Sequence, residues 1–176
     1  MSRKYVLKLL SRVGVPESYS CLIGGLFRRT YATPVMQGKH GVRLAMLDGL
    51  KQGCPLSPLL FILAIDPLLT HLGDVQGAEE RCFADDLGVG FRDWQTLMPV
   101  TELIDYWSDA AGPQVSHRKT KVMSTDVNCP ELCRVLPEGW EGVQYADRYK
   151  YLGVMISTDR EFGVAEVFAM ALRKFK

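Results

Sequence analysis

Arg81-Cys82-Phe83-Ala84-Asp85-Asp86-Leu87-Gly88-Val89-Gly90-Phe91 is the stretch on which the fold turns. Residues 81–83 and 87–91 are β-prone runs, and Ala84-Asp85-Asp86 is a tight link of the kind that joins antiparallel neighbours. The spacing predicts a β-hairpin carrying two adjacent carboxylates at its tip. Like charges side by side disfavour ionisation. A divalent cation removes that cost, and Mg²⁺ accepts one or two carboxylates while taking the rest of its shell from water and substrate phosphates. Asp is also favoured in turns for backbone reasons alone, and in isolation that ordinary reading is the better one.

Working upstream, residues 59–72 form a helical stretch that is apolar nearly all round, as in a buried core helix. Ser57-Pro58 reads as an N-cap followed by proline at the first helical position. Pro67 is expected to kink that helix or end it early. Residues 49–58 form a loop punctuated by Gly49, Gly53, Pro55 and Pro58. Before it, residues 3–13 and 17–29 have helical apolar spacing, with Gly14 and Pro16 between them. Residues 33–36 and 41–47 read as two short strands about the turn 37–40. Downstream, residues 94–111 are helical and residues 120–124 are a strand candidate. Residues 142–145 and 149–156 read as a β pair, and residues 164–176 as a helix. Local β pairs alternating with separate helices predict α+β with an antiparallel sheet, not a doubly wound fold.

The 176 residues are 47% hydrophobic and 23% charged, enough apolar material for a core and too little polarity for global disorder. No window approaches a transmembrane span, and no membrane partner is expected. The chain is expected in the cytoplasm or nucleus, not secreted, with its five cysteines reduced. Cys129 and Cys133 lack a second ligand pair and read as structural, not as a zinc site. Net charge is only +1, but residues 1–53 hold nine Lys/Arg against two Asp/Glu, while residues 54–111 hold two against ten. Basic beside acidic suits a protein that binds a polyanion and metal cations. On charge alone, solvation of helix faces is the better reading of such blocks.

The loop Gly49-x-x-Gln52-Gly53-x-Pro55-x-Ser57-Pro58-x-x-Phe61 resembles motif B of reverse transcriptases. Phe83-Ala84-Asp85-Asp86 resembles their motif C, in the form typical of non-LTR retrotransposon enzymes. Residues 111–121 are similar to motif D, with Ser116 where the family usually has asparagine. Tyr149-Lys150-Tyr151-Leu152-Gly153-Val154 is similar to the primer-grip motif E. Leu26-Phe27-Arg28-Arg29-Thr30 and Gly41 resemble the segment that usually precedes motif B. The motifs stand in family order and cover almost the whole chain.

The resemblance implies the palm of an RNA-directed DNA polymerase, with antiparallel sheet packed on helices. It implies that Asp85 ligates Mg²⁺, or Mn²⁺ in its place, with Asp86 assisting. Gln52, Gly53, Pro55 and Ser57 would lie under the templating base and incoming nucleotide. Lys119 would sit near the pyrophosphate leaving group as proton donor or charge stabiliser. Tyr151, Leu152 and Gly153 would position the primer end. RNA template, DNA primer and dNTP are the partners implied. Residues 1–176 read as one partial domain running from motif B to motif E, with residues 163–176 leading toward a thumb. Motif A, whose aspartate shares the metal ions, and the fingers are not matched: Glu17 and Asp48 are the acidic residues before motif B, and neither sits in a motif A pattern. The expectation is a fragment inactive alone. Two alternatives stay open: one half of a split enzyme completed by a chain supplying fingers and motif A, or a non-catalytic nucleic-acid-binding module.

Overall fold

The computed structural model describes residues 1–28, 30–124 and 136–159. Arg29, Cys129, Cys133, the helix expected at 164–176 and the thumb connection expected at 163–176 lie outside the described residues.

Two helices open the chain. α1 (Arg3–Arg12) is capped by Ser2, whose hydroxyl accepts from the Tyr5 amide. Gly14, at φ 83°, and Pro16 separate α1 from α2 (Glu17–Phe27). Val6, Leu10 and Phe27 bury their side chains against Leu60 and Ala64 of α3 (Ser57–Gly73). The opposite end of α3 presents Ile65, Leu68 and Leu72 to Val100 of α4 (Leu97–Ala111). One helix therefore joins two cores, and Leu60 and Leu72 are fully buried in them. Burying a leucine is worth about 1.5–3 kcal/mol.

The sequence led us to expect α3 buried all round. Leu59 and Ile62 are instead 63% and 61% exposed, because α1 and α4 cover only one side. Pro67 does not end the helix, which runs on to Gly73. The Trp107 indole donates to the Ala64 carbonyl at 2.9 Å, one turn before the proline, tying α4 to this stretch.

Between α2 and α3, two ladders replace the two strands expected. β1 (Tyr31–Ala32) pairs with β4 (Leu44–Ala45), and β2 (Val35–Met36) with β3 (Lys39–His40). The inner pair turns at Gln37-Gly38, both at positive φ, as a two-residue hairpin requires. β5 (Ala78–Phe83) and β6 (Asp86–Phe91) form the predicted hairpin, in register from Ala78↔Phe91 to Phe83↔Asp86. Trp94–Thr96 make a short 3-10 turn into α4.

The β material after α4 differs from expectation. β7 (Lys121–Val122) pairs in parallel with β8 (Gln144–Tyr145). Residues 149–156 do not pair with 142–145; they fold on themselves as β9 (Arg148–Tyr151) and β10 (Val154–Ser157). The reason is Leu152-Gly153, at φ 49° and 88°, which closes a tight turn inside that run. Among the described residues the expected sheet is thus five separate two-stranded ladders, four antiparallel and one parallel. The class, helices with small antiparallel sheets, is as expected. No helix of the described residues is long and apolar enough to cross a membrane.

Candidate active site

The β5–β6 hairpin is built by alternation. Ala78, Glu80 and Cys82 are half-buried and Glu79, Arg81 and Phe83 exposed. Cys82, Leu87 and Val89 pack on the α3–α4 core. The inner face fixes the register, since a one-residue slip would turn these side chains to solvent. The tip is therefore held out in water at a defined place, and Ala84, Asp85 and Asp86 are all exposed.

The turn is tighter than the sequence suggested. Asp86 is already the first residue of β6, opposite Phe83, so the loop is Ala84-Asp85 alone. Ala84 stands at φ 52°, where a residue with a Cβ costs about 1–2 kcal/mol. Two carboxylates are thus held at a strained tip, and no cation side chain forms an ion pair with either among the described residues. Below them, Cys82 donates to the Ala84 carbonyl at 3.4 Å. Burial pushes its thiol up, and the Asp85 and Asp86 charges push it further.

Tyr151 is where the second hairpin meets the first. Its hydroxyl lies 3.3 Å from the Arg81 carbonyl and 3.2 Å from the Asp86 carbonyl, and donates to them. Its ring end lies 3.6 Å from where a Cβ on Gly88 would stand. The β9–β10 hairpin is thereby pinned to the carboxylate hairpin through backbone oxygens on both strands. Burial, then the charges of Cys82 and Asp86, raises the Tyr151 phenol, which keeps it the donor at neutral pH. Leu152 and Gly153 form the exposed tip beyond it.

The loop before α3 is clamped from behind. Arg3 donates through Nε to the Gly49 carbonyl at 3.1 Å, through Nη1 to Phe27 at 2.7 Å and through Nη2 to Thr30 Oγ1 at 3.0 Å. Its amide reaches Asp48 Oδ1 at 2.9 Å. Burial pulls the Asp48 carboxyl up, but the Arg3 and Gly49 amides outweigh it and hold the group below its ordinary value. Lys51 Nζ donates to the Leu26 carbonyl at 3.0 Å. Gln52, Gly53 and Pro55 are left exposed at the rim. Gly53 stands at φ 80° with nothing near its missing Cβ, so backbone conformation alone requires glycine.

Ser57 departs from expectation. Leu56 occupies the cap position without a side-chain bond, and Ser57 is the first helical residue, buried, with its Oγ unpartnered. Cys54 stands in front of this helix start. The Leu56 amide first, helped by the Ser57 amide and the Lys51 charge, holds its thiol low against a smaller desolvation penalty.

Lys119 is exposed in a turn whose Lys119 amide bonds the Ser116 carbonyl at 2.9 Å. His117 stacks on Trp140 at 5.0 Å, and the Trp140 indole donates to Asp105 of α4 at 2.8 Å. Of the residues singled out from sequence, the structure joins Tyr151 to the Asp85–Asp86 hairpin. No hydrogen bond or ion pair among the described residues joins Lys119 or the 52–57 loop to it. Arg3, the Tyr151 hydroxyl's anchoring role and Thr30 escaped sequence reasoning. Their partners lie up to 70 positions away in the chain, and no local pattern marks them.

Residues 4–156 match a family model described as reverse transcriptase (RNA-dependent DNA polymerase). The chain is also similar to two proteins from Popillia japonica, each described as a retrovirus-related Pol polyprotein from type-1 retrotransposable element R2. One is 34% identical over 111 residues, 57% of this chain; the other is 31% identical over 96 residues, 49% of this chain. Each match spans 16% of the relative's length. The carboxylate hairpin, the glycine-bearing loop before α3 and all but the last residue of the β9–β10 hairpin lie inside the matched segment, which spans most of the chain, so the chain belongs to the reverse transcriptase (RNA-dependent DNA polymerase) family and resembles its non-LTR retrotransposon branch.

Proposed function

We propose that this chain is part of the palm of an RNA-directed DNA polymerase that adds deoxynucleotides to a primer on an RNA template. The observation that carries the reading is the exposed Asp85–Asp86 tip on a hairpin braced by the α3–α4 core and by Tyr151, within a segment that matches the family. The donor set fits a hard cation that shares its shell with water and phosphate, and does not fit a closed cage. Asp85 and Asp86 would hold Mg²⁺, or Mn²⁺, which when bound supplies the charge that activates the attacking oxygen and stabilises the leaving one. Among the described residues no group of three His, Cys, Asp or Glu is placed to hold a metal. A pair of ions asks for a further carboxylate, and without one we expect extension at background.

The chain's own residues have separable tasks in this reading. Gln52, Gly53 and Pro55 offer an exposed rim to the templating base and incoming nucleotide. Ser57, expected from sequence beside them, is buried at the start of α3 just behind that rim. Lys119, exposed in its turn, would neutralise or protonate the departing pyrophosphate. Tyr151 holds the β9–β10 hairpin, so that Leu152 and Gly153 can set the primer end against the carboxylates. Among the described residues no third strand pairs with the β5–β6 ladder, and its edges favour completion by a further strand, from another segment or another chain.

The test is primer extension on an RNA template, with this chain mixed with a separately made fingers polypeptide carrying the motif A aspartate. Extension that Asp85→Ala abolishes is expected. Background activity in every combination, with Mg²⁺ and with Mn²⁺, rejects the proposal.

A further inference from the structure

The backbone that carries Lys119 is fixed on two sides. The Ser116 carbonyl accepts from the Lys119 and Thr120 amides, each at 2.9 Å, and from the Thr120 hydroxyl at 3.1 Å, which closes residues 116–120 into one turn. Downstream, Lys121 enters β7 and pairs with Gln144 of β8. Upstream, the His117 ring lies on Trp140, with centroids 5.0 Å apart. His117 Nε2 is buried and makes no hydrogen bond, so packing holds that edge of the ring.

Trp140 is held in turn from both ends. It is 4% exposed, its amide donates to the Pro137 carbonyl at 3.0 Å, and its carbonyl accepts from the Val143 amide at 3.0 Å. A buried indole needs an acceptor, and Asp105 Oδ2 supplies it at 2.8 Å. Gly142 lets this loop come close to the turn: a Cβ there would stand 3.2 Å from the His117 Cβ. Asp105 belongs to α4, and α4 also places Leu103, Ile104 and Trp107 in the core on which Cys82, Leu87 and Val89 of the carboxylate hairpin pack. One helix is thus the common support of the carboxylate hairpin and, through Asp105, Trp140 and His117, of the Lys119 turn.

We propose that Asp105, Trp140 and His117 are positioning residues for Lys119, setting where its stem leaves the backbone relative to Asp85 and Asp86. Their task follows from the role proposed above for Lys119 at the departing pyrophosphate, and rests on it. A lysine is a point charge on a flexible four-carbon stem, so only the origin of that stem can be fixed by the fold. A displacement of about 1 Å at a reacting centre can cost about 10²-fold in rate. Core packing alone would make the same three residues matter for stability, but with no dependence on Lys119.

The experiment has two arms, both on the full 176-residue chain. The first is ¹⁵N relaxation of the chain alone. Heteronuclear NOE values at Lys119 and Thr120 should fall in Asp105→Ala and His117→Ala. They should stay at the wild-type level in Asp105→Asn, which keeps an acceptor for the indole, and in His117→Phe, which keeps a stacked ring. The second is single-nucleotide incorporation by the chain mixed with the fingers polypeptide carrying the motif A aspartate. Lys119→Ala should lower kcat about 10²-fold with KM unchanged. Asp105→Ala and His117→Ala should each lower kcat about tenfold, again with KM unchanged, and should add nothing in the Lys119→Ala background. Asp105→Asn and His117→Phe should recover most of the rate. Unchanged relaxation in both alanine variants, or alanine effects that multiply with Lys119→Ala, would overturn the positioning role alone. Looser relaxation in those variants with no incorporation by the wild-type mixture would overturn the polymerase reading, and the task of Lys119 with it.

Discussion

Replacing Arg3 by methionine keeps the aliphatic stem and removes the fork. Three hydrogen bonds of 2.7–3.1 Å then vanish, from α1 to the end of α2, to Thr30 and to the loop at Gly49. A half-buried bond of this kind contributes about 1 kcal/mol net, so the variant should lose about 3 kcal/mol, less whatever the freed carbonyls recover from water. For a domain of this size that is a fall in Tm of about 6–12 °C. Arg3→Lys should recover little of it, because an ammonium cannot reach three oxygens fanned over a plane. Arg28→Met is the control: its side chain is exposed, and Tm should hold within about 1 °C. Thermal unfolding by circular dichroism measures all three, and hydrogen exchange should show the amides around Gly49 opening faster in Arg3→Met. If Arg3→Met melts with the wild type, or Arg3→Lys is as stable as the wild type, the clamp is not what holds the loop.

Ala84→Gly should relieve the φ of 52° and raise stability by about 0.5–1 kcal/mol, read as a higher urea midpoint. Trp107→Phe should cost about 1–2 kcal/mol by removing the bond to Ala64, and an unchanged midpoint would show that α4 does not brace α3 there. Asp48 has its folded pKa depressed, so its contribution is present at neutral pH and is lost as pH falls through the folded value, below about pH 4. Asp48→Asn should flatten the stability profile in that acid range only. Cys54, its thiol held low, should alkylate faster near neutral pH than Cys82, whose thiol is pushed up; mass spectrometry of the labelled chain reports the order.

Where structure is set by neighbours in sequence, the chain could be read directly. The β5–β6 hairpin follows from two β-prone runs and a tight link, and α1 to α4 follow from apolar spacing, within a few residues at their ends. Leu152-Gly153 is a signal of the same local kind: a two-residue turn that folds 149–156 onto itself and away from 142–145. The parallel pairing of Lys121 with Gln144 could not have been foreseen, since nothing local brings two-residue strands together. Ser57 misled because a serine before proline looks like a cap, while in the fold the helix starts one residue earlier in its geometry and buries the hydroxyl. Arg3 stood in the basic block as one of nine cations suited to phosphate. Its role depends on carbonyls that only the packing of α1 on α2 and α3 brings within reach. Chemistry-bearing residues on turns were thus visible in advance, and the residues that brace those turns were not.

Divalent-cation binding at the Asp85–Asp86 tip is the proposal on which the polymerase reading rests. Paramagnetic broadening of backbone amide resonances by Mn²⁺ at substoichiometric amounts tests it without requiring turnover. The account predicts that the amides of Ala84, Asp85, Asp86 and Leu87 broaden first, that excess Mg²⁺ restores them, and that the Asp85→Asn/Asp86→Asn chain shows no such effect. Broadening that starts at Glu79 and Glu80 or elsewhere, or that survives the double substitution, would contradict it.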